Sequence, residues 1–529
     1  MDPLPGKVRF WAITSLLLIC SAWLLLANLG HYALWDDETY TALGAKGVLA
    51  TGDTSAVIGH NIVGFRGGIM LKNLRDRFTP PLPTYLAAIS FILFGVTPYA
   101  ARLPFALCGL AAILLGILIA KRQKVPGLVF YLTVIAILGN TSFYLYCRQS
   151  RYYGIVLLCA VAIGYLYFNW QTTWRHIVLF AILSIGLFAS NSIAYFQVYL
   201  ALAVDYLLWG KSSLKLRPVH WLVLLGIQGV GNAIILSIWN PLATHHGSAL
   251  LGNNLLQKGI LFFWNLRDIN ACEFGVGALL LAAPFVYFKN RNPIILRCLV
   301  AMLVCIGAAC LVSPQPVAQT TVADIRYILP VIPLCILLEV LTLKSLSRGA
   351  YWIAIPVALV AFHTNFLNGG LFTAKGLHSS SLSLCKELIS PPSDPYTEAT
   401  HWIERNVKDD ESIWVLPDYM TYPLMFSAPK AVYAWQLTWP PEEQFKGLPL
   451  IHFAGKEPPN YILAFGPVVQ EVERTIQSWK TANVSYSRIS VIDYFWKDMY
   501  RPELFWRQSS PIVNFNKDFE AIYVFRREN

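Results

Sequence analysis

Apolar runs long enough to cross a bilayer, roughly 17 to 25 residues each, recur throughout residues 1–370 of the chain. The whole chain is 56% hydrophobic and only 13% charged, which is about half the charged fraction of an ordinary soluble domain. Residues 371–529 return to a soluble composition with regular charges and prolines. The sequence therefore predicts a transmembrane domain over 1–370 and an extramembrane domain over 371–529.

Basic residues at the ends of the apolar runs predict the orientation of the chain in the membrane. The first run, 10–29, follows Lys7, and the second run, 101–120, is followed by Lys121. Because cytosolic ends of spans are enriched in Lys and Arg, both of these ends are expected in the cytosol. The segment 31–100 is then a long extracytoplasmic loop, and the N-terminus is cytosolic.

Further spans are predicted near residues 126–144, 152–169, 176–190, 193–209, 219–239, 272–288, 297–313, 327–343 and 350–367. With the first two they make about eleven, and this odd number puts 371–529 on the periplasmic or extracellular side. The sole turn signal between 177 and 209 is Ser190-Asn191-Ser192. If this stretch forms one span rather than two, everything downstream is inverted.

The predicted fold class is an all-α multi-pass membrane bundle followed by a small α/β domain. In the C-terminal domain, hydrophobic periodicity predicts helices and strands in alternation. The helices are expected over 397–407 and 469–480, and the strands over 412–416, 461–465 and 521–526.

Charge and cysteine usage exclude two classes of function. The net charge of +11 comes without a dense basic cluster with interleaved aromatics in 371–529, so nucleic acid is not an expected partner. Membrane topology and anionic lipids account for the charge better. Most of the ten cysteines lie inside apolar runs, and no Cys/His spacing typical of a zinc site occurs.

Three acids, Asp36, Asp37 and Glu38, follow the first span directly. One interpretation is structural: Asp36 caps a helix that begins near Asp37, with Glu38 in its favourable first turn. The other is functional: a carboxylate here acts as a general base toward an acceptor hydroxyl, or as a ligand of a divalent cation. The two interpretations are compatible, and the need for a metal stays open.

Arg148, Arg151 and Arg326 are predicted at the outer ends of spans, against the positive-inside bias. A guanidinium group offers a planar fork that suits phosphate oxygens, and such contacts are strong near low-dielectric lipid. The alternative for each arginine is snorkelling to the interface or pairing with a nearby carboxylate. Their location on the side that carries the acids favours binding of a lipid phosphate.

Several motifs, in order along the chain, resemble the C-type glycosyltransferase superfamily, in particular bacterial enzymes akin to the aminoarabinose lipid A transferase and the protein O-mannosyltransferases. These motifs are Asp37-Glu38-Thr39-Tyr40 after the first span, the Thr51-Gly52-Asp53 turn, Pro80-Pro81-Leu82 opening an amphipathic helix, Phe94-Gly95 before Arg102-Leu103-Pro104, Arg148–Gly154, and Arg326-Tyr327 leading to Pro330. The stretch His401–Asn406 is similar to the extracytoplasmic domains of many bacterial members.

The resemblance implies a role for each motif residue. Asp37 takes the position of the catalytic aspartate, with Glu38 beside it and Asp36 as an additional acid that could substitute for it. Many members carry Lys or His before Pro-Pro, where this chain has Thr79, so Arg77 is expected to supply the positive charge toward the donor phosphate together with Arg148, Arg151 and Arg326. The motif tyrosines are expected to contact substrate; they are Tyr40, Tyr152 and Tyr327.

The function implied is inverting transfer of a sugar from a polyprenyl-monophosphate donor to a lipid, glycan or protein acceptor, at a bacterial inner membrane. The rival hypothesis is a membrane transporter or lipid flippase, which predicts ionisable groups deep within spans. Asp205, near the inner end of its span, is the only intramembrane acid that the sequence analysis identifies. His245 and His246 are interpreted as interfacial loop residues rather than metal ligands.

Overall fold

The computed structural model describes residues 6–77, 79–210, 218–241, 255–271, 274–313, 325–368, 376–391, 394–438, 443–479, 484–493 and 521–528. A bundle of apolar helices makes up the N-terminal part of these residues, and a small mixed sheet with flanking helices makes up the C-terminal part. The predicted combination of an α-helical bundle with an α/β unit is therefore observed. His245, His246, Glu273 and Asp324 lie outside the described residues.

Most helices of the N-terminal part follow predicted apolar runs, whereas the helix Leu255–Ala271 lies between the predicted spans 219–239 and 272–288. In chain order they are α1 (Lys7–Leu26), α2 (Asp36–Thr51), α3 (Pro81–Phe94), α4 (Pro98–Arg122), α5 (Gly127–Gly139), α6 (Thr141–Cys147), α7 (Tyr153–Phe168), α8 (Trp174–Ser190), α9 (Ser192–Asp205), α10 (Pro218–Ile238), α11 (Leu255–Ala271), α12 (Gly277–Asn290), α13 (Pro293–Val312), α14 (Val331–Leu346) and α15 (Tyr351–His363).

Within the described residues, 5 helices are long and apolar enough to cross a membrane, namely α1, α4, α9 with the turn that extends it to Gly210, α10 and α13. A sixth span results if α5 and α6, which bend by 57° at Asn140, are counted as one. Shorter apolar helices, among them α7, α8 and α15, occupy other predicted spans. The chain is thus a membrane protein, and the count of about eleven spans stays a prediction.

The chain turns between α8 and α9 where Ser190-Asn191-Ser192 predicted a break. Asn191 is extended there, and its side chain accepts a hydrogen bond from the backbone N–H of Ala194, which caps the start of α9. An asparagine at this position satisfies one of the free N–H groups of the first turn. The two predicted segments are therefore separate helices.

Between α1 and α4 the segment predicted to be extracytoplasmic, here called the outer loop, forms α2, two short hairpins and α3. The hairpins pair β1 (Val57–Ile58) with β2 (Asn61–Ile62) and β3 (Leu71–Lys72) with β4 (Arg75–Asp76). Helix α3 begins at Pro81, where the missing N–H of proline costs nothing. It exposes Ile89, Ile92, Leu93 and Phe94 while burying Ala87 and Ala88, as expected for a helix against lipid.

The C-terminal part contains α16 (Ser380–Ile389), α17 (Pro395–Asn406), α18 (Thr421–Ser427) and α19 (Val469–Trp479), with strands β5 (Ser412–Leu416), β6 (Val432–Tyr433), β7 (Tyr461–Phe465), β8 (Tyr486–Asp493) and β9 (Ala521–Arg527). The sheet has the order β6-β5-β7-β9-β8, parallel across β6, β5 and β7 and antiparallel across β9 and β8. All five predicted helices and strands of this part are present.

The outer loop and the C-terminal sheet share one hydrophobic core. Leu43 of α2 and Phe91 of α3 belong to the same buried cluster as Tyr422 of α18 and Leu463 of β7. Asn61 adds polar contacts, because its amide donates to the Ala431 carbonyl at 2.9 Å and accepts from the Tyr433 N–H at 2.8 Å. The acidic first turn of α2 is thereby held between the bundle and the sheet.

Candidate active site

The first turn of α2 presents Asp36, Asp37 and Glu38. The helix begins at Asp36, with Trp35 at the N-cap, so the sequence-based assignment of Asp36 as the cap is wrong by one residue. The reason is that Glu38 reaches back to accept a hydrogen bond from the Trp35 N–H at 3.3 Å. Negative side chains in this turn are stabilised by the unpaired N–H groups of the helix start.

Asp37 meets two guanidinium groups from distant parts of the chain. Arg326 forms an ion pair with Asp37 Oδ2, and the Arg151 Nη2 atom lies 3.8 Å from the same oxygen. Arg151 also donates from Nη1 to the Asp37 carbonyl at 2.9 Å. The three side chains are only 12 to 17% exposed, so these charges interact in a largely desolvated site.

One donor of Arg151 remains available within this cluster. Its Nε atom is buried and has no hydrogen-bond partner in the part of the chain that the structure describes. A buried N–H of a guanidinium group without an acceptor is unfavourable. An oxygen of a bound anion would satisfy it.

Asp36 differs electrostatically from its neighbour. Burial, and next the negative charge of Asp37, raise the pKa of Asp36 to about 8, although Arg326 and Arg151 oppose this. Asp418, which follows β5, raises this pKa further. Near neutral pH Asp36 therefore carries a proton, whereas the two adjacent guanidinium groups favour the ionised form of Asp37.

Two tyrosines flank the site in the same way. The guanidinium carbon of Arg151 lies 5.4 Å from the ring centre of Tyr152, and that of Arg326 lies 5.3 Å from the ring centre of Tyr327. Each cation is thus close to the aromatic ring of the next residue. Tyr40, one helical turn after Asp36, lies in the packing between α2 and the sheet, where its ring centre is 4.9 and 4.8 Å from those of Phe65 and Tyr422.

Glu38 is directed toward Arg102 of α4. Its Oε1 accepts from Arg102 Nε at 2.8 Å and from the Ser150 N–H at 2.7 Å, and its Oε2 accepts from Arg102 Nη2 at 2.6 Å. Arg102 in turn donates to the carbonyls of Leu29, Tyr32 and Ala33. This network joins the segment after α1 to α2, α4 and the turn before Arg151, and the sequence assigned Arg102 no such role.

Arg148 and Arg77, both predicted to bind the donor phosphate, have other contacts. Arg148 donates to the Leu24 carbonyl at 3.0 Å and lines a cavity that Glu38 and Arg102 also border. Arg77 makes a two-pronged ion pair with Asp53, with Nη1–Oδ1 and Nη2–Oδ2 distances of 2.8 Å each. The structure therefore brings Asp37, Arg151 and Arg326 together, and the roles of Arg148 and Arg77 stay predictions.

Asp418 is a site residue that the sequence analysis missed. It lies in the C-terminal part, in a short turn over Asp418–Met420 that leads into α18. No motif in the sequence links this residue to the first outer loop, because the link arises from the packing of α18 on α2. The available signal was the run Pro417-Asp418-Tyr419, which follows a buried strand.

Acids within the membrane helices are also engaged. Arg297 pairs with Asp205 at 2.7 and 2.5 Å, and Tyr167 donates to the same carboxylate. Glu339 of α14, which the sequence analysis overlooked, is buried and accepts from the Val276 N–H at 2.6 Å. Asp268 pairs with Arg267 at 2.8 Å. In the described ranges, no group of three or more His, Cys, Asp or Glu could hold a metal ion.

The overall fold is shared with two solved structures of ArnT. The chain is similar to ArnT from Cupriavidus metallidurans bound to undecaprenyl phosphate, with a TM-score of 0.59 and 13% identity over 98% of both chains. It is also similar to ArnT from Cupriavidus metallidurans in the apo state, with a TM-score of 0.54 and 13% identity over 98% of this chain and 97% of that one. Neither a protein-family model nor a curated protein sequence matches the chain.

Proposed function

We propose that the chain is an inverting membrane glycosyltransferase that takes a sugar from a polyprenyl-monophosphate donor. The observation that carries this proposal is the contact of the Asp37 carboxylate with the guanidinium groups of Arg151 and Arg326. One group is suited to remove a proton from a hydroxyl, and the other two are suited to hold a phosphate. The C-type fold and a solved neighbour that contains undecaprenyl phosphate support the same carrier class.

The charges of the site favour an anionic ligand. With Asp36 protonated, Asp37 contributes one negative charge against the two positive charges of Arg151 and Arg326. The unsatisfied Nε of Arg151 adds a directed donor. The phosphodiester of a lipid-linked sugar, which carries one negative charge, would complete both the charge balance and the hydrogen bonding.

The reaction is a single displacement at the anomeric carbon. The acceptor oxygen forms a bond to this carbon while the bond from the carbon to the phosphate oxygen breaks, and the proton of the hydroxyl passes to Asp37. The bonding electrons leave with the polyprenyl phosphate, whose new negative charge is stabilised by Arg151 and Arg326. One displacement inverts the configuration, as in inverting glycosidases.

Donor binding would also change the basicity of Asp37. In the described state, both guanidinium groups stabilise the carboxylate and so weaken it as a base. A donor phosphate competes for the same two groups. Once Arg151 and Arg326 bind the phosphate, Asp37 regains affinity for a proton, which couples base strength to the presence of donor.

The orientation proposed for this reaction has the N-terminus in the cytosol and the site on the extracytoplasmic side of a bacterial inner membrane. The Nζ atom of Lys121 at the end of α4 lies 4.1 Å from the ring centre of Trp11 near the start of α1. These two basic ends therefore lie on one side of the bundle, which favours that side as cytosolic. The acceptor is a hydroxyl of a lipid, a glycan or a protein.

A transfer assay with the purified full chain tests this function. It compares the wild type, Asp37→Asn and the exposed-site control Asp409→Asn against a panel of polyprenyl-phosphate sugars, with and without chelator. We expect transfer by the wild type and control, and a loss of about a thousandfold in kcat for Asp37→Asn. Equal turnover by Asp37→Asn would exclude the proposed base, and failure of every donor would exclude the carrier class. Loss of activity with chelator would establish a metal requirement.

A further inference from the structure

A cavity of about 750 Å³, part of it open, lies beside the candidate active site and is distinct from the Asp37 contacts. Its walls come from the segment after α1, from the end of α6 and the turn after it, and from α16 and the start of α17. Most of the lining is apolar, with Leu29, Leu384 and Leu388 among the lining residues. Charged side chains interrupt this apolar surface, which is the composition expected of a site for an amphiphile.

Arg148 is the cation of this cavity. Within the described ranges it forms no ion pair with a carboxylate, and its hydrogen bond is the one from Nη1 to the Leu24 carbonyl. Arg102, the other lining guanidinium, is already neutralised by Glu38 at 2.6 Å. The remaining donors of Arg148 are therefore suited to an anion from outside the protein, and a planar guanidinium group fits a phosphate.

Gln149 gives a second, independent sign of a ligand. Its side chain is 3% exposed, and its Oε1 atom is buried without a hydrogen-bond partner in the described part of the chain. The amide nitrogen donates to the Leu145 carbonyl at 3.2 Å, so the oxygen is the group left over. A buried acceptor of this kind is costly unless a donor reaches it.

Two acids give the cavity a negative side as well. Glu387 accepts a hydrogen bond from the Tyr32 hydroxyl at 2.8 Å, and Asp394 accepts from the Ala33 N–H at 3.1 Å. Both line the cavity together with Arg148. An anion alone would meet a positive group on one side and negative groups on the other, whereas a zwitterion would complement both.

Helix α16 connects this cavity to the membrane surface. Leu384 and Leu388 are buried toward the bundle, whereas Leu382 is 63% and Ile389 is 72% exposed. A helix with apolar residues on both its inner and outer faces fits a position at the lipid interface. The site is thus placed where a lipid headgroup resides.

We propose that this cavity binds the headgroup of a zwitterionic phospholipid of the phosphatidylethanolamine type. The phosphate accepts hydrogen bonds from Arg148. The ammonium group donates to Gln149 Oε1 and to the carboxylates of Glu387 and Asp394. The glycerol and upper acyl carbons lie along Leu384 and Leu388. This lipid is neither the sugar donor nor the acceptor. Because Trp35 and Glu38 also line the cavity, the bound lipid supports the first turn of α2.

Competition between lipids tests the proposal on the full chain. The detergent-purified protein is incubated with equal amounts of phosphatidylethanolamine and phosphatidylglycerol, and retained lipid is measured by native mass spectrometry. We expect phosphatidylethanolamine to be retained about tenfold more, because phosphatidylglycerol lacks the ammonium group. Equal retention, or a preference for phosphatidylglycerol, would overturn the assignment. Release of the bound lipid by millimolar inorganic phosphate would show a site for free anions instead.

Variants locate the retained lipid. Arg148→Gln is expected to lower retention of phosphatidylethanolamine about tenfold, and the matched control Arg405→Gln, at an exposed position of α17, to leave it unchanged. If Arg148→Gln does not fold, Leu388→Trp fills the cavity and should give the same loss. Unchanged retention in the folded variant overturns the site. A higher KM for the sugar donor in Arg148→Gln, with lipid retention unchanged, would assign Arg148 to the donor.

Discussion

Glu38 and Arg102 form a buried ion pair at the base of the candidate active site, with 2.6 Å between Oε2 and Nη2 and side-chain exposures of 0 and 8%. Glu38 also accepts the N–H of Ser150, the residue before Arg151. The pair therefore fixes the first turn of α2 against the turn that carries one of the two guanidinium groups at Asp37. Glu38 is better suited to position the site than to react.

Replacement of Glu38 by Gln separates these two roles. Removing one member of a buried pair leaves the other charge uncompensated, and we expect Glu38→Gln to lower the free energy of unfolding by about 3 kcal/mol. Thermal unfolding in detergent measures the effect, with Glu404→Gln on the exposed face of α17 as a control. A loss of kcat at unchanged unfolding temperature would instead make Glu38 a catalytic acid.

Arg151 and Arg326 are expected to act on donor affinity. Arg151→Gln and Arg326→Gln should each raise the KM for the polyprenyl-phosphate sugar about tenfold or more, because each removes a charge-assisted contact to the phosphate. Arg→Lys at either position keeps the charge but loses the fork, and should recover part of the affinity. Initial rates against donor concentration check this. A KM equal to that of the wild type in both Gln variants would contradict phosphate binding here.

The pH dependence of donor binding should report Asp36. Burial and the neighbouring Asp37 raise the pKa of this carboxyl to about 8, so Asp36 is neutral below that pH and negative above it. A second negative charge beside Arg151 and Arg326 repels the donor phosphate, and the KM should rise as the pH increases through about 8. In Asp36→Asn the rise should be absent. The same rise in both proteins would assign the titration to another group.

Ionisation of Asp36 is also expected to affect the stability of the fold. Because the pKa of Asp36 is higher in the folded protein than the usual 3.8, its protonated form favours the folded state at low pH, and this stabilisation is lost as the pH rises from about 4 to about 8. Asp36→Asn should therefore be more resistant to unfolding than the wild type above this range. Unfolding temperatures of both proteins at several pH values measure the difference.

The ion pair of Arg77 with Asp53 predicts a loss of stability at low pH. The hydrogen bond from Arg77 lowers the pKa of Asp53 to about 2, with Arg75 contributing as well. A depressed pKa stabilises the fold above about 4, and this stabilisation is lost as the pH falls toward about 2. We expect the outer loop to lose stability as the pH falls toward about 2, and this effect to be absent in Asp53→Asn. Hydrogen exchange of the outer loop measures the difference.

Substitution of Arg77 tests the donor role predicted for this residue. For Arg77 to bind phosphate, its two-pronged contact with Asp53 would have to open. We expect Arg77→Gln to lower stability while changing the donor KM by less than about twofold, the range of an indirect effect. An increase comparable to that of Arg326→Gln would confirm the predicted donor role of Arg77.

Much of the fold could be predicted because lipid imposes a simple rule on composition. The apolar run 101–120 became α4, Pro98–Arg122, and the predicted strands at 412–416 and 461–465 agree with β5 and β7 residue for residue. Length and hydrophobic periodicity are local properties, and so they are readable from one sequence. The hairpins of the outer loop and strand β8 are too short or too polar on one side to give such a signal.

Contacts between residues that are far apart in the sequence limit how much of the candidate site could be predicted. The sequence placed Asp37, Arg151 and Arg326 on one side of the membrane, and the structure brings them together, although Arg326 is 289 positions from Asp37. The same criterion also selected Arg148 and Arg77, because a position at a span end or near a motif does not reveal which carboxylate or cavity a guanidinium group reaches. Arg102 and Asp418 were missed because their partners, Glu38 and Asp36, lie across helix packing that periodicity does not encode.

The hydrophobic core shared by the outer loop and the C-terminal sheet has a consequence for how the molecule is divided. Gly64 and Gly67 lie so close to Gln436 and Thr438 that a Cβ at either glycine would collide with them, and Asn61 completes the edge of β6. A truncation after the last membrane helix would expose apolar side chains of α2 and α3 that the C-terminal part now covers. The outer loop and the sheet are therefore expected to unfold together, and the sheet is not expected to fold as a detached module.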